Sequence, residues 1–257
     1  MQCHICGGDS KPFASARILS KYQVSYFLCT ACRFLQTETP YWLEESYSEA
    51  LSTIDVGVMN RNLNNTIVTS VIIKLLYPRA KCFLDYGGGY GTMVRLMRDR
   101  GFDFYWSDRF AKNLHARGFE HVPNRKYDLV TAFEVMEHSP DPISDFGEMV
   151  KLSDRILVTT LVLPSPTPTP PNWWYYALKS GQHVSFYSSE SLGALASHFG
   201  LHVISRGPYH LFTRQKCGPI ERTLFSIATI RKLAPITAWI GHRESLKPKD
   251  FAQLTAD

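Results

Sequence analysis

Across residues 80–200, apolar runs of strand length alternate with stretches in which apolar residues recur every three or four positions. The runs predict strands at 81–86, 102–107, 127–133 and 155–162. The periodic stretches predict helices at 92–100, 142–152 and 188–199, the last with Leu192, Leu195 and Phe199 on one face. Upstream, Asn60 is the candidate cap of a helix running to about Leu76, with Ile67, Val71 and Leu75 aligned, before Pro78 ends it. Downstream, LHVISR and YHLFTR flank Gly207-Pro208 and read as an antiparallel pair at a sheet edge. Strands alternating with helices imply a parallel sheet covered on both faces, so the expected fold class is α/β, a doubly wound and mostly parallel sheet. There is no internal repeat. The one biased segment, PSPTPTPP at 164–171, is expected to be extended and solvated.

The first 40 residues follow another pattern. Two CxxC pairs, Cys3-His4-Ile5-Cys6 and Cys29-Thr30-Ala31-Cys32, hold four of the six cysteines. Each pair can form a knuckle that turns two thiolates toward one point, and two knuckles supply the tetrahedral S₄ set of a closed structural zinc site. Between them, Ile18-Leu19 and Tyr22 to Leu28 read as short strands of a zinc ribbon. So small a module buries little core, and metal binding would supply its folding energy. Two disulfides or a redox CxxC are the alternatives; a reducing compartment argues against the first and the doubled motif against the second. Cys82 and Cys217 are expected to be unliganded, and His4 to lie on the knuckle surface. The expected organisation is a ribbon at 1–40, a connector with aromatic anchors at 41–60, a catalytic domain at 61–213 and an extension at 214–257.

Composition narrows the setting without changing the picture. The 257 residues are 44% hydrophobic and 20% charged, as in an ordinary globular chain. The net charge of +5 is spread along the sequence, which permits an anionic substrate without demanding nucleic acid. No apolar run approaches the ~20 residues of a membrane span. MQCHICGGDSK has no basic and apolar leader, so a cytoplasmic location is expected.

The segment that carries most chemistry is CFLDYGGGYG, residues 82–91, followed by the amphipathic TMVRLMRDR. A strand ends in Asp85, and Gly87, Gly89 and Gly91 let the next turn fold sharply and approach a ligand closely. One strand later FDFYWSD ends in Asp108, where a carboxylate can accept hydrogen bonds from ribose hydroxyls. A glycine turn alone is also compatible with dinucleotide binding, or with no ligand at all. Together, the DxGxGxG turn, Asp108 and YDLVTAFEVMEHSPDP resemble the successive motifs of class I S-adenosylmethionine methyltransferases over residues 60–213. The resemblance implies a Rossmann-like domain with S-adenosyl-L-methionine held by Gly87, Gly89, Gly91 and Asp108. Asp85 would support the turn or the methionine ammonium, and Phe133 and Glu134 would lie at the cofactor. GFEHVPNRKY, 118–127, departs from the family in being short and lacking the acidic residue usual near the adenine. The order of ribbon, PYWLEESY connector and catalytic domain resembles sugar methyltransferases of antibiotic and surface-polysaccharide pathways. Those that methylate carbon carry a further C-terminal domain, so an oxygen acceptor is expected here.

Methyl transfer to a hydroxyl needs alignment and a proton acceptor, or a metal that lowers the hydroxyl pKa. Glu134, Glu137 and His138 stand at i, i+3 and i+4, pointing one way if the stretch is a helical turn. With His183 of GQHVSF they resemble the metal site of small-RNA end methyltransferases and ubiquinone-pathway O-methyltransferases, and could hold Mg²⁺, Mn²⁺ or Zn²⁺. Alternatively Glu137 and His138 only buttress the cofactor loop and His183 is a lone base. Trp173, Trp174, Tyr175 and Tyr176, after the Pro164 hinge, are a candidate lid stacking on sugar faces or a base, or else plain packing. The tail, with LFSIATI and APITAWI, is compatible with packing on the domain, a dimer contact or a partner, and the oligomeric state is open. Two other classes compete. A zinc-ribbon RNA methyltransferase would need more basic residues than Lys11, Arg17, Lys21 and Arg33, which precede Glu44, Glu45 and Glu49. A non-catalytic scaffold is disfavoured by the intact cofactor motifs. A small-molecule sugar or glycan is therefore the expected acceptor.

Overall fold

A computed structural model describes residues 1–47, 55–228 and 243–256. Among the described residues ten strands form two sheets. The larger has the order β5-β4-β6-β7-β10-β9. Its strands are β4 (Cys82–Tyr86), β5 (Asp103–Ser107), β6 (Leu129–Phe133), β7 (Arg155–Thr159), β9 (His202–Arg206) and β10 (Tyr209–Thr213). β5, β4, β6 and β7 run parallel, while β10 is antiparallel to both β7 and β9, so the hairpin around Gly207-Pro208 closes that edge as expected. The central strands are buried on both faces, which is why they read as unbroken apolar runs. Their bounds fall within two residues of expectation except that β7 stops at Thr159, where the chain leaves the sheet toward the ribbon.

Helix α2 (Val58–Leu76) begins before the expected Asn60 cap, with Gly57 at its N-cap and no side-chain hydrogen bond there. Val71 is buried as expected, but Ile67 and Leu75 are only half-buried, and the buried face runs through Val68, Ile72 and Ile73 together with Thr66, Thr69 and Ser70. The helix packs on both α3 (Thr92–Asp99) and α6 (Pro219–Ala228), so more than one stripe is covered and a single-stripe reading misplaces its face. Helix α4 (Pro142–Leu152) opens with Asp141 accepting from the Ser144 amide at 3.2 Å and a proline in its first turn. Helix α5 (Ser189–His198) opens with a reciprocal Ser188–Ser191 capping box.

The smaller sheet has the order β1-β2-β3-β8: β1 (Ser10–Ile18), β2 (Tyr22–Cys29), β3 (Leu35–Thr37) and β8 (Ser185–Phe186). The ribbon strands are longer than expected, and Leu19 lies in the β1–β2 turn with φ +51° rather than in a strand. β8 comes from far along the chain, just after His183. Between ribbon and large sheet lies a third apolar cluster that includes Val24, Tyr26, Trp42, Tyr176 and Phe186. The part of the tail that is described packs on the large domain, through α6 on α2 and through the last helix, Lys247–Thr255, on α3. APITAWI lies outside the described residues, as does Glu49. Among the described residues no helix is long and apolar enough to cross a membrane.

Candidate functional site

Beyond the carboxyl ends of the parallel strands opens a cleft of about 1380 Å³. Open α/β sheets place ligands at this end, because the strand-to-helix turns there leave backbone amides free to face them. Asp85, Gly87, Gly89, Asp108, Phe133, Glu134, His138 and His183 all line it. The glycine turn runs from β4 to α3 with φ of +68°, +53° and +82° at Gly87, Gly89 and Gly91. A Cβ on Gly87 would sit 2.6 Å from Val135 Cγ2, whereas one on Gly89 would meet nothing within 4 Å. Gly89 thus presents bare backbone to the cleft. Gly91 caps α3 against Asn113 and Ala116 and is not on the cleft wall, so its role is to shape the turn.

Asp108 holds this turn in place. Its Oδ2 accepts from the Gly89 amide at 2.9 Å, and its Oδ1 from the Phe110 and Ala111 amides, each at 2.7 Å. Three of its roughly four acceptor positions are taken, leaving room for one ribose hydroxyl. The Trp106 indole donates to the Gly89 carbonyl at 2.8 Å, a contact the sequence reading missed although Trp106 stands two residues before the acidic strand end. Asp85 is buried and accepts from Thr131 Oγ1 at 2.7 Å; burial pushes its pKa up to about 7. On the far side of the turn, residues 118–127 contribute no strand but one parallel bridge, Trp106 to Glu120. His121 from that stretch lines the cleft, its Nδ1 2.8 Å from Tyr127 Oη.

The turn after β6 departs from the expected geometry. Only Met136–His138 forms a helical (3-10) turn, and Glu134 precedes it in left-handed backbone at φ +54°. Glu134 therefore does not align with Glu137 and His138. Its Oε1 accepts from Thr159 Oγ1 at 2.9 Å, and its Oε2 lies 3.9 Å from Arg61 Nε. The cluster of donor atoms comprises Glu137, His138 and His183, all within 4.8 Å of one another, without Glu134. Glu137 is fully buried behind the cleft wall, which corrects its expected place among groups that touch an acceptor. Its Oε1 accepts from Tyr175 Oη at 2.5 Å, while Oε2 has no partner. Burial, reinforced by the charge of Glu134, pushes its pKa up to about 8.

The two histidines stand edge to face, ring centres 4.8 Å apart. His138 Nδ1 is 2.8 Å from Tyr47 Oη, a connector residue that the sequence reading left without a role. His183 Nδ1 lies 2.7 Å from the Tyr175 carbonyl. A carbonyl only accepts, so Nδ1 carries the proton and Nε2 holds a free lone pair. Burial lowers the His183 pKa to about 4, so the ring is neutral at physiological pH. The aromatic run divides rather than acting as one lid. Trp173, Trp174 and Tyr175 line the cleft, with Tyr175 buried and Trp174 75% exposed, while Tyr176 is buried away from it. Phe110, 71% exposed, stacks on Tyr47 across the mouth at 5.3 Å.

In the ribbon Cys3, Cys6, Cys29 and Cys32 bring their sulfurs within 4.8 Å of one another. Cys3–Cys32 and Cys6–Cys29 are each 3.5 Å apart. That is far longer than the ~2.0 Å of a disulfide and close to the ~3.8 Å edge of a tetrahedron with ~2.3 Å zinc–sulfur bonds. The Ile5 and Cys32 amides point at Cys3 and Cys29 Sγ, each at 3.4 Å, stabilising thiolates in both knuckles. The donor set fits zinc. His4 is only half-buried and is not in the cluster, and Cys82 and Cys217 lie apart from it.

Solved structures with a similar course of chain include the magnesium protoporphyrin IX methyltransferase of Synechocystis PCC 6803 with bound S-adenosylmethionine. It is 13% identical, with 66% of this chain and 87% of that one covered at a TM-score of 0.42. Others are the mitomycin 7-O-methyltransferase MmcR (15%, 66% and 65%, 0.44) and an O-methyltransferase family protein from Burkholderia thailandensis (16%, 69% and 68%, 0.43). These likenesses are distant, and nothing about the acceptor rests on them. No curated protein matches the sequence. A family model described as a methyltransferase domain matches residues 59–206, the span that holds the glycine turn, Asp108 and the His138 turn; the chain belongs to that family and carries a class I S-adenosylmethionine-dependent methyltransferase domain.

Proposed function

We propose that the protein transfers the methyl group of S-adenosylmethionine to a hydroxyl of a sugar, nucleotide sugar or related small molecule, with His183 as general base. The observation that carries this is the His183 Nδ1–Tyr175 carbonyl hydrogen bond, which leaves a neutral imidazole with its Nε2 lone pair on a histidine that lines the cleft. The cofactor supplies an already activated methyl on a sulfonium. What remains for the chain is to hold the acceptor in line and accept its proton. Gly89 and Asp108 would hold the methionine and ribose portions, and His121, which lines the cleft, would border the adenine. His138, tied to Tyr47, would position the acceptor beside His183. Trp173, Trp174 and Phe110 offer flat apolar faces of the kind that stack on a sugar ring. Incubating the protein with labelled S-adenosylmethionine and a panel of nucleotide sugars, and locating the methyl group, tests the reading. Methylation on carbon or on RNA alone would refute it.

Zinc in the Cys3–Cys6–Cys29–Cys32 set would act structurally, and thiolates of this kind persist in a reducing cytoplasm. The RNA reading expects a basic face on the ribbon. Instead Lys21 is paired with Glu45 at 2.7 Å and Arg33 donates to Thr167 at 3.0 Å.

One observation favours a second catalytic scheme. Glu137 Oε2 is buried without a hydrogen-bond partner beside His138 and His183, and this donor set fits a divalent cation such as Mg²⁺. Such an ion would lower the pKa of the acceptor hydroxyl. Under that scheme chelation abolishes turnover, and Glu137→Gln is as damaging as His183→Ala. If the lone base is right, a chelator that spares the structural zinc changes nothing.

A further inference from the structure

The ribbon and the connector after it hold the segment that carries His183 along its whole length. The Leu19 amide donates to the Leu178 carbonyl at 2.9 Å, and the Trp42 indole to the Gly181 carbonyl at 2.9 Å. Gln182 Nε2 donates to the Ser46 carbonyl at 2.9 Å. The Thr37 amide donates to Val184 at 3.1 Å, after which Leu35 and Gln36 pair with Phe186 and Ser185 as neighbouring strands. Ser188 Oγ closes the series on the carbonyl of Cys32, one of the four cysteines, at 2.7 Å. From the other side the catalytic domain adds the Val184 amide on the Glu137 carbonyl at 2.9 Å and Ser185 Oγ on the Ser139 carbonyl at 2.6 Å. The segment is therefore a strand shared by ribbon and catalytic domain.

Packing agrees with the hydrogen bonds. Gly181 has φ +65°, and a Cβ there would sit 2.9 Å from Ser46 Oγ, 3.2 Å from Leu19 Cγ and 3.4 Å from Trp42 Cδ1. Ribbon turn and connector close on this backbone so tightly that a methyl group has no room. Trp42 is 1% exposed, and Phe34 of the ribbon packs on Tyr187 at 5.1 Å between ring centres. Two residues from Gly181 comes His183.

We propose that the four-cysteine ribbon is the wall against which the 178–188 segment is built, so that folding of the ribbon sets the position of His183 and thereby of the acceptor. This rests on the reading of His183 as the base. It makes Trp42 a positioning residue, acting through Gly181, and gives the ribbon a task within the active site rather than in recruiting a macromolecule. It also links the metal to catalysis: loss or oxidation of the thiolate set frees Cys32 and β3, and with them the anchors of β8.

Hydrogen exchange followed by mass spectrometry, on the full chain before and after zinc is stripped by a chelator, reads this directly. Stripping is expected to remove protection from 178–188 together with 1–37, while β4 to β7 stay protected and S-adenosylmethionine binds as before. Zinc re-addition should restore both segments. Retained protection at 178–188 in stripped protein would overturn the proposal, and so would loss of protection throughout the large sheet, because the ribbon would then be an ordinary part of one core. Trp42→Phe keeps an aromatic ring but loses the donor to Gly181. It should lower kcat about tenfold or more with the cofactor Kd unchanged, since small displacements of a reacting group cost rates of this order. An unaltered kcat in Trp42→Phe would count against the proposal. Should 178–188 loosen as expected while His183→Ala remains fully active, the anchoring stands and the base assignment fails instead.

Discussion

His183 shows burial overriding a hydrogen bond. Burial lowers its pKa from 6.5 to about 4 although the Tyr175 carbonyl on Nδ1 favours the charged ring, and that carbonyl decides only which nitrogen of the neutral ring carries the proton. As the proposed base, His183 then stays competent well into acid, so the acid limb of kcat/KM should fall near pH 4 rather than 6.5, as a pH–rate profile will show. Stability follows the same sign. A depressed folded pKa contributes stability that is complete above 6.5 and lost as pH falls toward 4, so His183→Gln should flatten that part of the denaturation profile. Asp108 is the second residue with a measurable share. Asp108→Ala removes the clamp on Gly89, Phe110 and Ala111 and, on the proposed reading, a ribose partner, and should weaken S-adenosylmethionine binding by about 1–3 kcal/mol in calorimetry. The glycines, Asp108 and His183 were legible because their residue types are dictated by backbone conformation and charge at fixed spacing. Tyr47, Trp106 and the inward turn of Glu137 were not, since each depends on what packs opposite it in space.

Among elements, the strand–turn–helix repeats of the large sheet were readable from apolar runs, because strands buried on both faces leave no polar alternation to confuse them. Helix α2 was found but its face was misjudged, since contacts with both α3 and α6 bury more than one stripe. The helical alignment of Glu134 with Glu137 failed because a left-handed residue at 134 interrupts the turn, and no periodicity records that. The ribbon was legible from its cysteines alone, yet its fourth strand, Ser185–Phe186, comes from well over a hundred residues away and leaves no local signal. At this scale the account predicts one tightly held zinc per chain. Cys29→Ser should release it, with elemental analysis and exchange of residues 1–37 as the readouts.

The whole molecule is closed by its own tail. Arg98, on the helix that follows the glycine turn, and Asp250 of the last helix are both 2% exposed and meet through paired bonds of 2.6 and 2.9 Å. Arg95 adds another at 2.8 Å. Asp250→Ala leaves a buried guanidinium with Asp103 as its carboxylate partner, beside the Phe104 carbonyl and the Phe119 ring, and should cost about 3 kcal/mol in chemical denaturation. The tail's packing could not be read beforehand, because a lone aspartate in a polar helix gives no sign of its partner. The ribbon sheet in turn takes its fourth strand, Ser185–Phe186, from the segment that carries His183. The central claim is that the cleft methylates a hydroxyl with His183 as base, and single-turnover transfer tests it most directly. Wild-type protein and His183→Ala are each loaded with labelled S-adenosylmethionine to equal occupancy and mixed with an acceptor from the nucleotide-sugar panel. The account predicts rapid transfer to oxygen by the wild type, and loss of at least 100-fold in the variant at unchanged cofactor affinity. Equal transfer rates would contradict it.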